Sequence, residues 1–129
     1  MDKLHALLGR FGLLALLALA LPWAANAQVT RDWISVTPNT YGEMIAMDQA
    51  NNVFVVGSVP RSTIFVTKFS PAGAKLWQRT FDNPGTLEQG SWVTIDPQGN
   101  AIVTGYLVTT GGDPAGLVVL KYDTAGNLL

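Results

Sequence analysis

Asp48 and Asp96 are two residues of this 129-residue chain whose type and spacing could do chemistry. Carboxylates serve as general acids and bases in many enzymes, and these two stand 48 positions apart in two similar segments. Each also opens a pattern typical of a tight turn, namely Asp48-Gln49-Ala50-Asn51-Asn52 and Asp96-Pro97-Gln98-Gly99-Asn100. An Asp at the first position of such a turn accepts hydrogen bonds from nearby backbone N–H groups. We therefore interpret both as turn residues and keep catalysis as the alternative.

The chain offers few other reactive groups. It has no cysteine, and its single histidine, His5, falls in a segment that we interpret below as a signal peptide. A Ser-His-Asp triad, a thiol nucleophile and an ordinary zinc site are therefore excluded from residues 28–129. Asp113 could contribute to a calcium site, but no ordered series of oxygen ligands accompanies it, so we favour a solvated loop. We predict no catalytic residue, no metal site and no cofactor, and consider an enzyme less well supported than a binding protein.

Three tryptophans could stack on a sugar or a quinone ring, as aromatic platforms do. Trp33 and Trp77 hold the same position in successive repeats, which favours packing between repeats. Trp92 has no Trp counterpart, because Met44 stands at its place in the earlier copy. Trp92 is thus the candidate for contact with a ligand, which we expect to be a protein or a carbohydrate.

The N-terminal residues predict a secretory signal. Lys3 and Arg10 precede an apolar run from 11 to 21, and Ala25-Asn26-Ala27 supplies an A-x-A cleavage site. A run of eleven residues is short for a membrane span, which needs about 20. We expect cleavage after Ala27, a secreted or periplasmic protein, and no membrane attachment after cleavage.

Residues 28–129 carry six basic and eight acidic side chains, a net charge of −2. This balance gives no electrostatic reason to expect nucleic acid or an anionic membrane as partner. Lys68 and Lys121 recur at equivalent strand ends, and we expect them to lie along the surface of a repeat unit rather than to bind an anion.

The pattern from residue 28 onward predicts an all-β fold, because short β-branched and aromatic runs alternate with Gly, Pro, Asn and Asp. The predicted strands are 33–36, 44–47, 53–59, 63–69, 76–81, 92–95, 101–108 and 117–122. The turns at 48–51, 70–73, 96–99 and 123–126 have the chemistry of a type I turn with a G1 bulge, which needs a positive φ at its fourth residue. Asn51, Gly73, Gly99 and Gly126 occupy that place.

The segments form an internal repeat. Residues 42–57 align with 90–105 with five identities in 16 positions, and 66–73 align with 119–126 with four in eight. A period of about 45 to 50 residues with four strands is typical of a propeller blade. We divide the chain into a first unit at 33–76 and a second at 77–129.

Two motifs carry a family resemblance: Asp-x-x-Gly-Asn-(apolar)-x-Val-x-Gly at 96–105, and Leu-Lys-Tyr-Asp-x-x-Gly at 120–126. Together with residues 65–77 they resemble the bacterial SBBP-type β-propeller repeat, and 65–77 is also similar to blades of pyrroloquinoline-quinone-type propellers. The resemblance implies about two four-stranded antiparallel blades of an incomplete propeller, with the second unit truncated. Since two blades do not close a ring, we expect the chain to be the N-terminal piece of a longer product, and association of several copies into one ring is the alternative.

Propeller blades serve many functions, so the resemblance does not name one. We expect an exported, non-catalytic binding or interaction scaffold. One alternative is the N-terminal fragment of a propeller enzyme, of quinoprotein dehydrogenase or lyase type, whose chemistry lies on other blades. Another is a lectin-like homo-oligomer of two-blade chains, because two blades do not close a ring.

Overall fold

The structure is a computed structural model that describes residues 32–60 and 63–129. The predicted signal at 1–27 lies outside the described residues. The regular structure of the described part is entirely β, and no helix there is long and apolar enough to cross a membrane. The seven strands are β1 (Tyr41–Met47), β2 (Val53–Val59), β3 (Thr63–Phe69), β4 (Lys75–Phe81), β5 (Thr86–Ile95), β6 (Ala101–Thr109) and β7 (Pro114–Tyr122).

The strands form two antiparallel sheets. The first has the order β1-β2-β3-β4 and the second the order β5-β6-β7, so each strand pairs with its neighbour in sequence. This confirms the predicted all-β class. Trp77, at which the second predicted unit begins, pairs with Lys68 inside the first sheet. The boundary between the two sequence units therefore falls inside the first sheet and not between the sheets.

The predicted strand at 33–36 is wrong, because residues 32–37 form no strand in the structure. A β-ladder needs a neighbouring strand, and no strand of the described residues pairs with this segment. Residues 33–37 instead lie over the face of the first sheet that carries Phe65 and Phe69. Strand β5 is longer than predicted, since its first residues pair with the end of β6.

The core lies between the two sheets. Alternation along a strand sends successive side chains to opposite faces. In the first sheet we call the face that carries Phe54, Val56, Ile64 and Val66 the forward face, and the opposite face the rear face. In the second sheet the forward face is the one that carries the residues at the equivalent repeat positions. These four residues are fully buried, and they share one apolar cluster with the rear face of the second sheet. That rear face contributes Val93, Ala101, Val103, Leu120 and Tyr122.

Glycine lets the sheets approach closely. A Cβ on Gly90 would lie 2.8 Å from Val56 Cγ2, and one on Gly105 would lie 2.8 Å from Ile64 Cδ1. The backbone N–H of Gly90 also donates a hydrogen bond of 3.0 Å to Ser58 Oγ on the other sheet. Burying each large apolar side chain at this interface contributes about 1.5–3 kcal/mol. The forward face of one sheet and the rear face of the next thus form a packed, partly hydrogen-bonded interface.

Trp77 joins the outer strand of the first sheet to a turn of the second. Its indole N–H donates a hydrogen bond of 3.1 Å to the carbonyl oxygen of Thr124, and its ring lies 6.2 Å from that of Tyr122. The ring also lies against Gly126, where a Cβ would stand 2.9 Å from the indole. A turn glycine is therefore needed both for its φ of 85° and for the space that the indole fills.

Replacing Gly57 by alanine tests the close packing inside the first sheet. A Cβ there would overlap the carbonyl oxygen of Tyr41 and lie 2.8 Å from the Phe65 ring. We expect Gly57→Ala to lower the free energy of unfolding by about 1–3 kcal/mol or more, measured by urea denaturation. Gly111→Ala is the control, because the nearest atom to its new Cβ is 3.6 Å away. Equal stability of the two variants would contradict this account.

Candidate functional site

Asp48 and Asp96 each hold a turn together with the same set of hydrogen bonds. In both, Oδ1 accepts from the backbone N–H groups two and four residues on, at 2.9–3.0 Å. Oδ2 accepts from the side-chain amide of the Asn four residues on, at 2.8 Å for Asn52 and 2.9 Å for Asn100. Both carboxylates are thus occupied by their own turns.

The fourth residue of each turn takes the left-handed conformation. The φ angles are 61° at Asn51, 83° at Gly99, 81° at Gly73 and 85° at Gly126. Asp123 accepts the equivalent hydrogen bonds in the 123–126 turn: Oδ1 from the backbone N–H groups of Ala125 and Asn127, and Oδ2 from the side-chain amide of Asn127. The repeated Asp-x-x-x-Asn spacing thus accounts for the local backbone at three places.

Each of the two repeat lysines forms an ion pair with one of these carboxylates. Lys68 Nζ lies 3.3 Å from Asp48 Oδ2, and Lys121 Nζ lies 2.9 Å from Asp96 Oδ2. The side chains of the first pair are 8% and 9% exposed, whereas Lys121 is 43% exposed. Lys68 lies along the sheet face but is buried there, 4.9 Å from the centre of the Phe54 ring. The sequence contains an Asp and a Lys at equivalent positions of both repeats, but the ion pair between them depends on the strand pairing of the sheets.

These contacts lower the pKa of each carboxyl group. For Asp96, the hydrogen bonds from the side chains of Asn100 and Lys121 hold the pKa well below its usual range. For Asp48, burial raises the pKa, but the bonds from Asn52 and Lys68 outweigh burial and the net shift is downward. The pKa of Asp123 is also lowered, chiefly by Asn127. Groups held in the ionised form in this way are poor general acids.

An open cleft of about 410 Å³ lies between the β1–β2 and β5–β6 turns, with Asp48 and Asp96 among its lining residues. It places two carboxylates near one space, but both are already saturated by amide N–H groups and lysine. The cleft has the elements of a polar recognition surface and lacks a carboxylate free to move a proton.

Trp92, the predicted ligand contact, is 56% exposed on the forward face of the second sheet. It pairs with Thr104, which pairs in turn with Val119, so these three residues cross the face in line. Its counterpart Met44 is partly buried against the core cluster. Trp92 therefore belongs to a broad sheet face, on which its neighbours in register are Thr104 and the exposed Val119.

The contrast between the two forward faces is the main feature of this surface. Val66 is fully buried, whereas Val119 at the same repeat position is 58% exposed. Ile64 is fully buried, whereas its counterpart Leu117 is 74% exposed. The same residue types thus form a closed interface in one sheet and an open apolar surface in the next.

Sequence reasoning missed Glu88, which is 1% exposed. Its Oε1 accepts hydrogen bonds from Thr86 Oγ1 at 2.6 Å and from the backbone N–H of Asn83 at 3.3 Å. Its Oε2 is out of reach of solvent and has no hydrogen-bond partner. No periodic signal distinguishes this acid from surface acids, so its burial could not be read from the sequence. The contacts present assign it to ordering the β4–β5 connection.

The acidic residues do not assemble a metal centre. Across residues 32–60 and 63–129, no group of three or more His, Asp or Glu side chains could hold a metal ion. Asp113 closes a turn of its own, since its backbone N–H donates to Thr109 Oγ1 at 3.1 Å. The comparisons with known proteins add no assignment: no family model matches this chain, and a search of curated proteins finds no match.

The two ion pairs form a matched test of burial. The two carboxylates are covered to a similar extent, 9% exposed at Asp48 and 11% at Asp96, so the pairs differ in the burial of the lysine. Lys68→Met keeps the apolar stem over Phe54 but removes a cation that solvent screens little, so we expect a loss of about 3 kcal/mol in the free energy of unfolding. Lys121→Met removes the equivalent but exposed cation and should cost much less. Urea denaturation at pH 7 measures both. Equal losses would contradict the role assigned to burial.

The lowered pKa values predict the pH dependence of stability. A carboxyl group whose pKa is lower in the folded chain stabilises that form above the unfolded pKa, near 4, and this contribution is lost as the pH falls towards the folded value. We expect the urea midpoint to fall as the pH drops below about 4. Asp96→Asn should lower the midpoint at pH 7 and weaken this decline. Parallel curves for the variant and the natural chain would contradict the assignment.

Proposed function

We propose that this chain is an exported repeat protein of the β-propeller class that acts as a non-catalytic interaction scaffold. Two features support the class: each sheet has sequential antiparallel order, and the forward face of the first packs on the rear face of the second. Similarity to SBBP-type repeats, inferred from the turn and strand motifs, supports it further.

The open forward face of the second sheet is the observation that carries the proposal. Contiguous exposed apolar surface is typical of interaction sites. Here the exposed Leu117 and Val119 match the fully buried Ile64 and Val66 of the first sheet, and Trp92 matches the partly buried Met44. The face includes Trp92, Ile102, Leu117 and Val119. Trp92 lies on β5, at one edge of the face, and an exposed aromatic residue of this kind is typical of an interface anchor.

The saturated carboxylates support a binding role over a catalytic one. The carboxylates of Asp48 and Asp96 accept hydrogen bonds from turn amides and pair with lysines. These contacts hold the turns that line the cleft in one shape. Rigid turns of this kind suit recognition of a protein or a carbohydrate by preformed polar groups.

The proposal predicts that Val119→Arg disrupts association. The protein recovered from the cells that produce it should lack residues 1–27 and should be found in a complex by native mass spectrometry. Val119→Arg places a charge in the open face, so the complex should dissociate while stability changes by less than about 0.5 kcal/mol. Thr110→Arg, on an exposed turn of the same sheet, should leave the complex intact.

Retention of the complex by Val119→Arg would contradict the proposed use of this face. A protein that stays inside the cell with residues 1–27 attached would contradict export. A chain that turns over a substrate, with loss of turnover in Asp48→Asn or Asp96→Asn, would replace the scaffold with an enzyme.

A further inference from the structure

Glu88 is a buried carboxylate that its neighbours satisfy only in part. It is 1% exposed, and its Oε2 has no hydrogen-bond partner. Its Oε1 lies 2.6 Å from Thr86 Oγ1, but that hydroxyl also lies 2.9 Å from the carbonyl oxygen of Asn83. A hydroxyl has one proton to donate, so Thr86 cannot donate to both acceptors. The other donor to Glu88 is the backbone N–H of Asn83, at the long distance of 3.3 Å.

No positive charge balances this carboxylate. None of the lysines and arginines within residues 32–60 and 63–129 forms an ion pair or a hydrogen bond with Glu88. The distance of 2.6 Å to Thr86 is typical of a hydroxyl that donates to an ionised carboxylate. A buried charge without a counter-ion is strongly destabilising. The site is therefore more stable with a cation beside it.

A cleft of about 270 Å³ has Glu88 among its lining residues and lies between the start of β1, the end of β2 and the start of β5. Tyr41 is 63% exposed and Glu43 is also exposed, whereas Ser58 is 6% exposed. Tyr41 and Glu43 therefore mark the mouth of the cleft, and Ser58 and Glu88 mark its floor. The volume is just below that of drug-sized pockets, about 300–1,000 Å³, so the cleft fits a group the size of one side chain.

Glu43 brings a second carboxylate to the same cleft. It lies where the register of β1 on β2 shifts, between Gly42 and Met44, and is the extra residue of a β-bulge. Bulges redirect side chains and are common beside functional sites. Among the lining residues in the part of the chain that the structure describes there is no lysine or arginine. The cleft is therefore acidic at its mouth and at its floor.

The internal repeat separates these two acids from the residues that the fold requires. At the offset of 48 positions, Glu88 corresponds to Thr40 and Glu43 to Ser91. The same bulge recurs in β5 with Ser91 in it, so the backbone does not need an acid at that position. Thr40 donates its hydroxyl to a nearby backbone carbonyl and so orders the chain before β1 without a charge. The two carboxylates are thus additional to what the repeat needs.

We propose that this cleft binds an ammonium or guanidinium group, with Glu88 Oε2 as the acceptor of its hydrogen bond and Glu43 as a second negative charge. The donors of such a group match an oxygen that lacks one. Its alkyl stem suits the apolar walls, which include Val59 and Leu87, and the Tyr41 ring at the mouth suits a cation. Exposed side chains at the mouth change rotamer within picoseconds to nanoseconds, which gives access to Oε2.

This inference goes beyond the proposed function, because the cleft lies on another surface. Glu88 alternates with Gln89 along β5 and shares the rear face with Gly90, which packs against the first sheet. The open forward face that carries Val119 is on the other side of the second sheet. Binding at the cleft and association through the forward face are therefore measured independently.

Binding of Nα-acetyl-lysine methylamide tests the proposal, with Nα-acetyl-norleucine methylamide as a probe of similar stem without a charge. Isothermal titration calorimetry on the protein recovered from its cells measures both. The lysine probe should bind, and the norleucine probe should bind at least about tenfold less tightly, because the hydrogen bond to a charged group is lost. Equal binding of the two probes, or binding of neither, would overturn the proposal.

Variants assign the binding to Glu88. Glu88→Gln keeps an oxygen for Thr86 and replaces the charged Oε2 by an amide. It should weaken binding of the lysine probe about tenfold or more, with the urea midpoint unchanged or raised because an unbalanced buried charge is removed. Glu43→Gln should have a smaller effect, since solvent screens this carboxylate. Asp113→Asn is the matched control, because it removes an exposed acid outside the cleft and should leave binding unchanged.

Unchanged binding in Glu88→Gln would refute the assignment. A fall in the urea midpoint that accompanies the loss of binding would leave Glu88 a structural role alone and would refute it as well. Arg61 follows Pro60 in the sequence, so Arg61→Met tests whether the chain provides its own guanidinium. Equal binding of the lysine probe to this variant supports the proposal, whereas binding seen only in this variant would overturn it.

The complex found in the cells identifies the source of the cation. Loss of the partner in Glu88→Gln would place the ammonium or guanidinium group on that partner, and an intact complex would indicate a free amine; both results agree with the proposed chemistry. If the lysine probe does not bind but Val119→Arg still dissociates the complex, the cleft proposal fails and the proposed function stands.

Discussion

The contact between a tryptophan indole and a turn glycine is the constraint on which the arrangement of the sheets depends. The indole needs a flat surface without a Cβ, and the turn needs a residue that accepts a positive φ; Gly73 and Gly126 meet both needs. The indole N–H then donates a hydrogen bond to a turn carbonyl, which fixes the orientation of the ring on the glycine. Strand β4 is in this way tied to the end of the second sheet, and the segment at 33–37 is tied to the end of the first.

Much of the fold could be predicted from the sequence because its information is local. The spacing of Asp, Gly and Asn defines the turns at 48–51 and 96–99, and alternation of apolar residues defines the strands between them. The segment at 33–36 has the same local pattern but no neighbouring strand, and a sequence does not reveal which strand is available for pairing. The burial of Lys68 and Glu88 likewise depends on the packing of distant segments.

The candidate site was predicted less well than the fold. The Met44 counterpart in the earlier repeat distinguishes Trp92 in the sequence, yet its exposure follows from its position on a sheet face that no other strand within residues 32–60 and 63–129 covers. The identical turns at Asp48 and Asp96 can be predicted from the sequence, whereas the different exposure of Lys68 and Lys121 cannot. Equivalent positions of a repeat share local structure, but the burial of each side chain depends on the element that packs beside it.

The sequential pairing of the strands also bears on how the chain folds. Every strand pairs with the strand that precedes or follows it, mostly across tight turns whose side chains bond their own backbone. Contacts within each sheet are therefore short in sequence, and closing the corresponding loops costs little entropy. The first sheet can acquire its hydrogen bonds while the second is still being synthesised, and docking of the sheets becomes the late step. Until that step the forward face of the first sheet is exposed, so the order of synthesis sets the period during which a nascent chain is vulnerable to aggregation.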